Sequence, residues 1–434
     1  MKITKTSFTN YWQSEAGPFP AYAAALPRQA RCLVIGGGYT GLSSALHLAP
    51  RQQGIVVIEA QQLGEGASGR NGGQVIPGLK LGPQALRERF GERRAEPLIR
   101  AAYGAADRVF ELIREHAIDC SARQNGWLLA THSPAALATQ AQRAAERREV
   151  GADMHLLDAV EVRRLIGSAA YVGGVFDPRG GMLQPLRYLH GLAGAAQALG
   201  VSIHEKVRAL SLSRSGGRWT VVTSAGEIQA EQVLIATNAY SDNLLPGLRQ
   251  THVPLWSLQA ATEPLPAALL ERILPGDLPV SDSFRVLRYF RRSDDGRLLL
   301  GTRGAFTDRV GAGDAQRVAR EMLSIFPALA GTALSHCWSG RIAVPASQIP
   351  MLHRPQPGLT VALGYYGRGV AMATLMGSFV ADLIDGLPEQ ESIYPVTPYR
   401  PLPGAALHRT VARVTANALR LRDIIERRLL DTTP

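Results

Sequence analysis

Three glycines at a fixed spacing, set between two short apolar runs, constrain this chain more than any other feature. Cys32-Leu33-Val34-Ile35 is bounded by glycines and too short for a helix, so it reads as a buried strand. Gly36, Gly38 and Gly41 follow as G-x-G-x-x-G, and Leu42, Ala45, Leu46 and Leu48 then recur near helical spacing. Each glycine answers a physical need. Gly36 permits the tight strand-to-helix turn, Gly38 lets a diphosphate approach the backbone, and Gly41 lets helix and strand pack closely. The helix start, with Tyr39 and Thr40, then turns free N–H groups toward the anion. A second strand, Gly54 to Ile58, ends at Glu59 and Ala60, about where a carboxylate accepts hydrogen bonds from ribose hydroxyls. That carboxylate would repel a ribose phosphate, which argues against NADP.

The next segment separates FAD from NAD. Ala67-Ser68-Gly69-Arg70-Asn71-Gly72-Gly73-Gln74 offers closely spaced backbone N–H groups and one cation, suited to the far side of a diphosphate and to close passage under a flat ring. Taken together, GGGYTGL, Glu59 and GASGRNGGQ resemble the D-amino-acid oxidase-like superfamily of FAD enzymes, and within it the gamma-glutamylputrescine oxidoreductase branch. The resemblance runs from about Ser7 to about Arg400. It implies an α/β chain, α+β overall, with a Rossmann-like FAD-binding domain and an inserted antiparallel-sheet substrate domain.

The pattern along the chain supplies the expected boundaries: an N-terminal arm at 1–30, a discontinuous FAD-binding domain at 31–82, 150–250 and 342–400, a substrate domain at 83–149 and 251–341, and a basic C-terminal helix at 401–434. The arm carries Tyr11, Trp12, Phe19 and Tyr22 without a helical or strand period and reads as an extended surface segment. Pro83 to His116 reads as helical, Trp127 to Thr131 as a strand, Val201 to Leu212 as an alternating strand, and Gln232 to Ala236 as a short buried one. Thr237 and Asn238 follow that last strand, and ligands of parallel sheets lie beyond the carboxyl ends of strands. From His252 to Arg341 alternating runs and turns such as Asp294-Asp295-Gly296 predict an antiparallel sheet. Leu359 to Leu363 then reads as a final parallel strand, leading through Gly364-Tyr365-Tyr366-Gly367-Arg368-Gly369-Val370 into an apolar helix.

Composition excludes several classes. A chain of 434 residues with 46% hydrophobic content buries a large core. The net charge of +11 is spread along the chain, almost all of it as arginine, without the aromatic interleaving that base stacking requires, so no nucleic-acid partner is expected. Cys32, Cys120 and Cys337 are too far apart for a metal site or a disulfide framework, and no metal is expected. No segment has the length and apolarity of a membrane span, and Met1 to Gln13 lacks a signal-peptide core, so a cytoplasmic location is expected. The amphipathic, arginine-rich stretch Ala405 to Leu430 leaves peripheral contact with a membrane open, against docking on its own domain.

The resemblance also implies site roles. In relatives the last helix start faces the flavin edge where negative charge gathers on reduction, which assigns Gly364, Gly367, Gly369 and Val370 to the cofactor. Val207 would meet the adenine through its main chain, and Gly340, in Trp338-Ser339-Gly340-Arg341, would lie at the flavin. Arg341 is the candidate clamp for a substrate carboxylate. Tyr366, Tyr289 and Trp256 are candidates for an aromatic wall that orients an amine, and Arg368 for a polar group near the reacting amine. At the last turn Tyr366 and Arg368 replace the Ser and His common in the branch. No residue matches the Cys or His tethers of some relatives, so FAD is expected to be non-covalent. The implied reaction oxidises a C–N bond by hydride transfer to flavin N5, the imine then being hydrolysed, with O2 or a quinone as electron acceptor. A D-amino-acid or secondary-amine dehydrogenase, and a non-catalytic flavin sensor, are the alternatives. Lys80 is the candidate for promoting reaction with oxygen.

Overall fold

The computed structural model describes residues 1–20, 22, 25–305 and 307–403. The expected helix at Ala405 to Leu430 lies outside the described residues. Helix α1 (Tyr11–Ala16) precedes strand β1 (Gln29–Ile35), helix α2 (Tyr39–Leu48) and strand β2 (Ile55–Ile58). β1 is the centre of the first sheet, paired in parallel with β2 on one side and with Gly226–Ile235 on the other. Ser202–His204 extends the sheet beyond β2, and Leu359–Leu363 extends it beyond Gly226–Ile235, both in parallel.

Apolar runs form these strands because both faces are covered. In β1, Cys32 and Val34 enter the core shared with α2 and the helices Pro185–Ala198 and Gly369–Ile384, whereas Leu33 and Ile35 enter the core under the strands Ala209–Ser215 and Arg218–Thr223. The alternation thus feeds two cores from one run. Helix Gly369–Ile384 lies against α2 so closely that a Cβ on Gly377 would stand 2.3 Å from Ser43 Oγ, which donates to Thr374 O at 2.7 Å.

Among the described residues the second sheet has eight strands, in the order Leu334–Pro345, His252–Thr262, Leu298–Ala305, Arg288–Arg292, Val280–Asp282, Trp127–Thr131, Gly173–Asp177 and His155–Asp158. All neighbours are antiparallel except Val280–Asp282 with Trp127–Thr131. Within the stretch from His252 to Arg341 every pairing is antiparallel, as expected, and the parallel one joins that stretch to Trp127–Thr131. Strands His155–Asp158 and Gly173–Asp177, grouped by the sequence with the FAD-binding part, hydrogen-bond into this second sheet. Strand pairing is a long-range property, and their local pattern does not carry it.

Two further expectations change. Val201 to Leu212 is broken into Ser202–His204 and Ala209–Ser215, with Lys206 at φ +59. The N-terminal arm is not a surface strap, since Tyr11 and Trp12 are 2% and 1% exposed. A six-residue helix is too short to show a period, and its aromatic residues are buried because Trp338 receives them: its ring lies 6.4 Å from each. Among the described residues no helix is long and apolar enough to cross a membrane, and no cluster of metal-ligating side chains occurs. All three cysteines are free and buried.

Candidate active site

A cavity of about 790 Å3 opens where β1 meets its two neighbours and runs to the second sheet. That is the crevice beyond the carboxyl ends of the strands, within the size range of ligand sites. At its inner end Gly36 takes φ +110, and a Cβ there would meet Ala236 O at 2.9 Å. The chain then enters α2. Of the first-turn amides, Tyr39 N donates to Ser68 Oγ at 3.0 Å, so the Ser68 hydroxyl keeps its own proton to give outward. Glu59 directly follows β2, its carboxylate receiving Gly37 N and Gln61 N, each at 3.0 Å. Burial raises its carboxyl above the usual range, and the amide donors oppose that shift. Each carboxylate oxygen keeps a lone pair for a ribose hydroxyl.

The glycine loop forms the cavity's long wall. Asn71 is its internal brace: Nδ2 reaches Ser68 O at 2.8 Å and Tyr39 OH at 3.2 Å, and Oδ1 accepts Gly73 N at 2.8 Å. Arg70 turns back to Glu65, with Nη2 at 2.8 Å from Oε2. On the opposite wall Asn238, at φ +47, accepts Gly364 N at 3.0 Å through Oδ1 and so joins the ends of two strands.

Every residue expected to hold the cofactor lines the cavity except Gly41, Gly73 and Gly364. Gly41 acts in packing, since a Cβ there would lie 2.0 Å from Gly36 O. Gly73 lies against Leu183 O, 2.1 Å from a built Cβ, and Gly364 makes the Asn238 contact. Val207 does line the cavity, but its N–H donates to Glu59 O at 2.9 Å, so of its main chain only the carbonyl can serve a base.

The residues expected at the substrate divide. Tyr289 lines the cavity, its hydroxyl 2.7 Å from Ser257 Oγ, and burial pushes its phenol up to about 12. It lies flat across the sheet because Gly301 has no side chain; a Cβ there would stand 2.0 Å from the ring. Arg341 also lines the cavity, but Nε meets Asp308 Oδ1 at 2.8 Å and Nη2 meets Oδ2, so the clamp is already closed on a carboxylate of the protein itself. Arg368 does not face the cavity. Its Nη1 donates to the carbonyls of Pro77 and Gly78, and burial pushes the guanidinium down to about 9. Tyr366, at φ +49, stands behind the wall, its ring centre 5.8 Å from Lys80 Nζ and 5.9 Å from Arg303 Cζ.

Sequence reasoning missed Arg303, Gln259, Asp308 and Trp12. Among the described residues four arginines line the cavity, and three are ion-paired with carboxylates that line it too: Arg70 with Glu65, Arg208 with Asp242, and Arg341 with Asp308. Among the described residues Arg303 has no carboxylate partner; its neighbours are the phenols of Tyr366 and Tyr289, and burial lowers its guanidinium below the usual range. Nothing in Thr302-Arg303 as a sequence marks it.

The crevice, the two-sided strands and the glycine loop fit a flavin dinucleotide, and comparison with known proteins agrees. The profile of the DAO family, described as FAD dependent oxidoreductase, matches residues 31–383. The chain is 34% identical over 390 residues to a probable oxidoreductase OrdL of Rhizobium meliloti, covering 86% of this chain and 90% of that one. It is 32% identical over 372 residues to the gamma-glutamylputrescine oxidoreductase of Escherichia coli, covering 86% and 87%. Among solved structures, glycine oxidase from Geobacillus kaustophilus superimposes with a TM-score of 0.71 at 21% identity, covering 86% of this chain and 100% of that one. With the cofactor crevice built from β1, α2, Glu59 and the glycine loop, and with the profile spanning both sheets, this chain belongs to the DAO family of FAD-dependent oxidoreductases.

Proposed function

We propose that the enzyme oxidises the C–N bond of an amine that carries a carboxylate, with gamma-glutamylputrescine or a similar acylated polyamine as the first candidate. The observation that carries this reading is Arg303, the one lining cation without a carboxylate partner among the described residues. A guanidinium held among phenols gains most from an anion that accepts two of its N–H groups. Gamma-glutamylputrescine has such a carboxylate at one end and a primary amine at the other. The similarity to an enzyme named for that compound supports the same choice.

When bound, FAD supplies the acceptor for the hydride leaving the carbon next to nitrogen; the resulting C=N bond adds water and releases a carbonyl compound and ammonia or a shorter amine. The chain's own residues orient and dry the substrate. Arg303 would fix the carboxylate, and Tyr289 would bound the amine's path with an apolar ring face. An amine taken from water into these walls favours its neutral form, which hydride loss requires. FAD is held without a covalent link in this reading: the described lining residues include no Cys or His.

The test is anaerobic bleaching of the flavin by gamma-glutamylputrescine and by putrescine, which lacks the carboxylate, in wild type and Arg303→Met. The variant should lose on the order of 10- to 100-fold in kcat/KM toward the carboxylated amine only, the value of a pair of charge-assisted hydrogen bonds. A wild type that prefers putrescine would sink the substrate class, and a flavin that no amine bleaches would sink the reaction. Admitting air to the reduced enzyme then separates an oxidase from a dehydrogenase that uses another acceptor.

A further inference from the structure

Three consecutive carbonyls of the glycine loop are held by side chains from other parts of the chain. Gly69 O accepts Asn10 Nδ2 at 2.8 Å, Arg70 O accepts Trp338 Nε1 at 3.0 Å together with Gln259 Nε2, and Asn71 O accepts Trp12 Nε1 at 2.8 Å. In a trans peptide the N–H points opposite to the C=O. The Asn71 N–H is therefore turned away from Trp338, and the Gly72 N–H away from Trp12. The two indoles stand edge to face with centroids 6.4 Å apart, so both carbonyls are drawn to one side and both N–H groups to the other.

Asn71 and Gly72 line the cavity, and neither N–H has an acceptor among the described residues. The flanking amides do have one: Arg70 N donates to Ala67 O at 3.2 Å and Gly73 N to Asn71 Oδ1 at 2.8 Å. Two adjacent amides aimed together make a nest that attracts negative charge. A Cβ on Gly72 would stand 2.6 Å from the Tyr289 ring, which puts the nest at the end of the cavity next to the second sheet, away from the α2 N-terminus where a diphosphate would lie.

The anchor of the second peptide, Trp12, belongs to α1 and falls outside the residues 31–383 matched by the family profile. That helix is fixed on three sides. Asn10 caps it at Trp12 N, Tyr11 OH donates to Asp295 at 2.8 Å, and Glu15 accepts Gln184 Nε2 at 2.6 Å and Arg187 Nη2 at 3.0 Å.

We propose that Trp12 is a positioning residue for the cofactor: by holding Asn71 O it aims the Asn71 and Gly72 amides at the ring system of bound FAD, where they favour the electron-rich reduced form. The proposal rests on FAD binding and not on the identity of the amine, so its test needs no substrate. Trp12→Phe keeps a ring against Tyr11 and Trp338 and removes the donor. The expected result is a flavin midpoint potential lowered by about 30 mV, a tenfold change in relative affinity for the two redox forms, with a displaced visible band, in an apoprotein that still unfolds cooperatively but at a lower urea midpoint. Trp338→Phe leaves Gln259 on the Arg70 carbonyl and should shift the potential less. A wild-type potential and spectrum in Trp12→Phe, or a larger shift in Trp338→Phe, would overturn the assignment. If Trp12→Phe does not fold, replacing Trp12 with benzothienylalanine keeps the bicyclic shape without the N–H, and the same potential shift is required of it.

Discussion

Gly38 and Gly41 stand three residues apart in one motif, yet the structure gives them different work, and alanine at each should separate cofactor binding from folding. A Cβ on Gly41 would lie 2.0 Å from Gly36 O and 3.0 Å from Val34 Cγ1, against ordinary contact of 3.4 Å or more, so α2 must move about 1.4 Å off β1 or the turn must distort. Both neighbours are fully buried framework, and overpacking of this kind costs about 3 kcal/mol or more. A Cβ on Gly38 meets only Ser68 Oγ, at 3.0 Å, and that hydroxyl can rotate away. The fold should then lose less than about 1 kcal/mol, an ordinary surface-type change. The methyl would nonetheless occupy the approach to the α2 amides, and losing two charge-assisted hydrogen bonds to a diphosphate weakens FAD on the order of 100-fold or more. Urea unfolding of the apoproteins, paired with FAD titration followed by flavin fluorescence, reads both quantities. Gly38→Ala should unfold near wild type and bind FAD poorly; Gly41→Ala should fail in both. If Gly38→Ala retained FAD within about threefold of wild type, the placement of the diphosphate on α2 would be wrong, and a wild-type midpoint in Gly41→Ala would refute the close packing of α2 on β1.

Three other perturbations follow from the same geometry. Gly301→Ala drives a methyl into the Tyr289 ring and should lower kcat/KM at least about tenfold while FAD titrates normally, if Tyr289 bounds the substrate as proposed; unchanged turnover would remove Tyr289 from the site. Asp282 and Arg288 are 3% and 4% exposed and meet at 2.5 Å, so Asp282→Asn strands a buried guanidinium and should cost about 3 to 5 kcal/mol by urea unfolding, whereas a loss under about 1 kcal/mol would mean that Tyr171 and Glu321 suffice. Desolvation, followed by repulsion from Arg368, Arg303, Arg143 and Arg147, lowers the Lys80 ammonium to about 7, although the residue is exposed, so solvent screening shrinks the effect without changing its sign. A folded-state value below the unfolded 10.5 means that the unfolded chain binds the proton more tightly, so the penalty is fully present below pH 7 and is relieved as pH rises toward 10.5. Lys80→Met should therefore be more stable than wild type at pH 6 and lose that advantage toward pH 10; a gap that stays constant with pH would contradict it.

The cofactor half of the site was legible because its chemistry is local. A strand, a glycine turn, a helix start and a carboxylate at the end of the next strand lie within one stretch, and backbone conformation there depends on residue type, as the φ of +110 at Gly36 illustrates. The substrate half was not. Arg341 and Arg303 are both arginines on strands of the second sheet, and only the fold reveals that Asp308 neutralises the first while the second faces phenols. Arg368 stood out in the last turn by type, but its guanidinium is spent on the carbonyls of Pro77 and Gly78.

The residues from 31 to 74 by themselves determined that this chain builds a dinucleotide crevice, since apolar runs buried on both faces and glycines at fixed spacing leave the backbone few other courses. Tertiary structure alone decided which charges remain available inside it and which distant side chains hold its loop. Ion pairing and hydrogen bonding between residues such as Trp12 and Asn71 depend on where elements far apart in the chain come to rest, and residue type and periodicity carry no record of that.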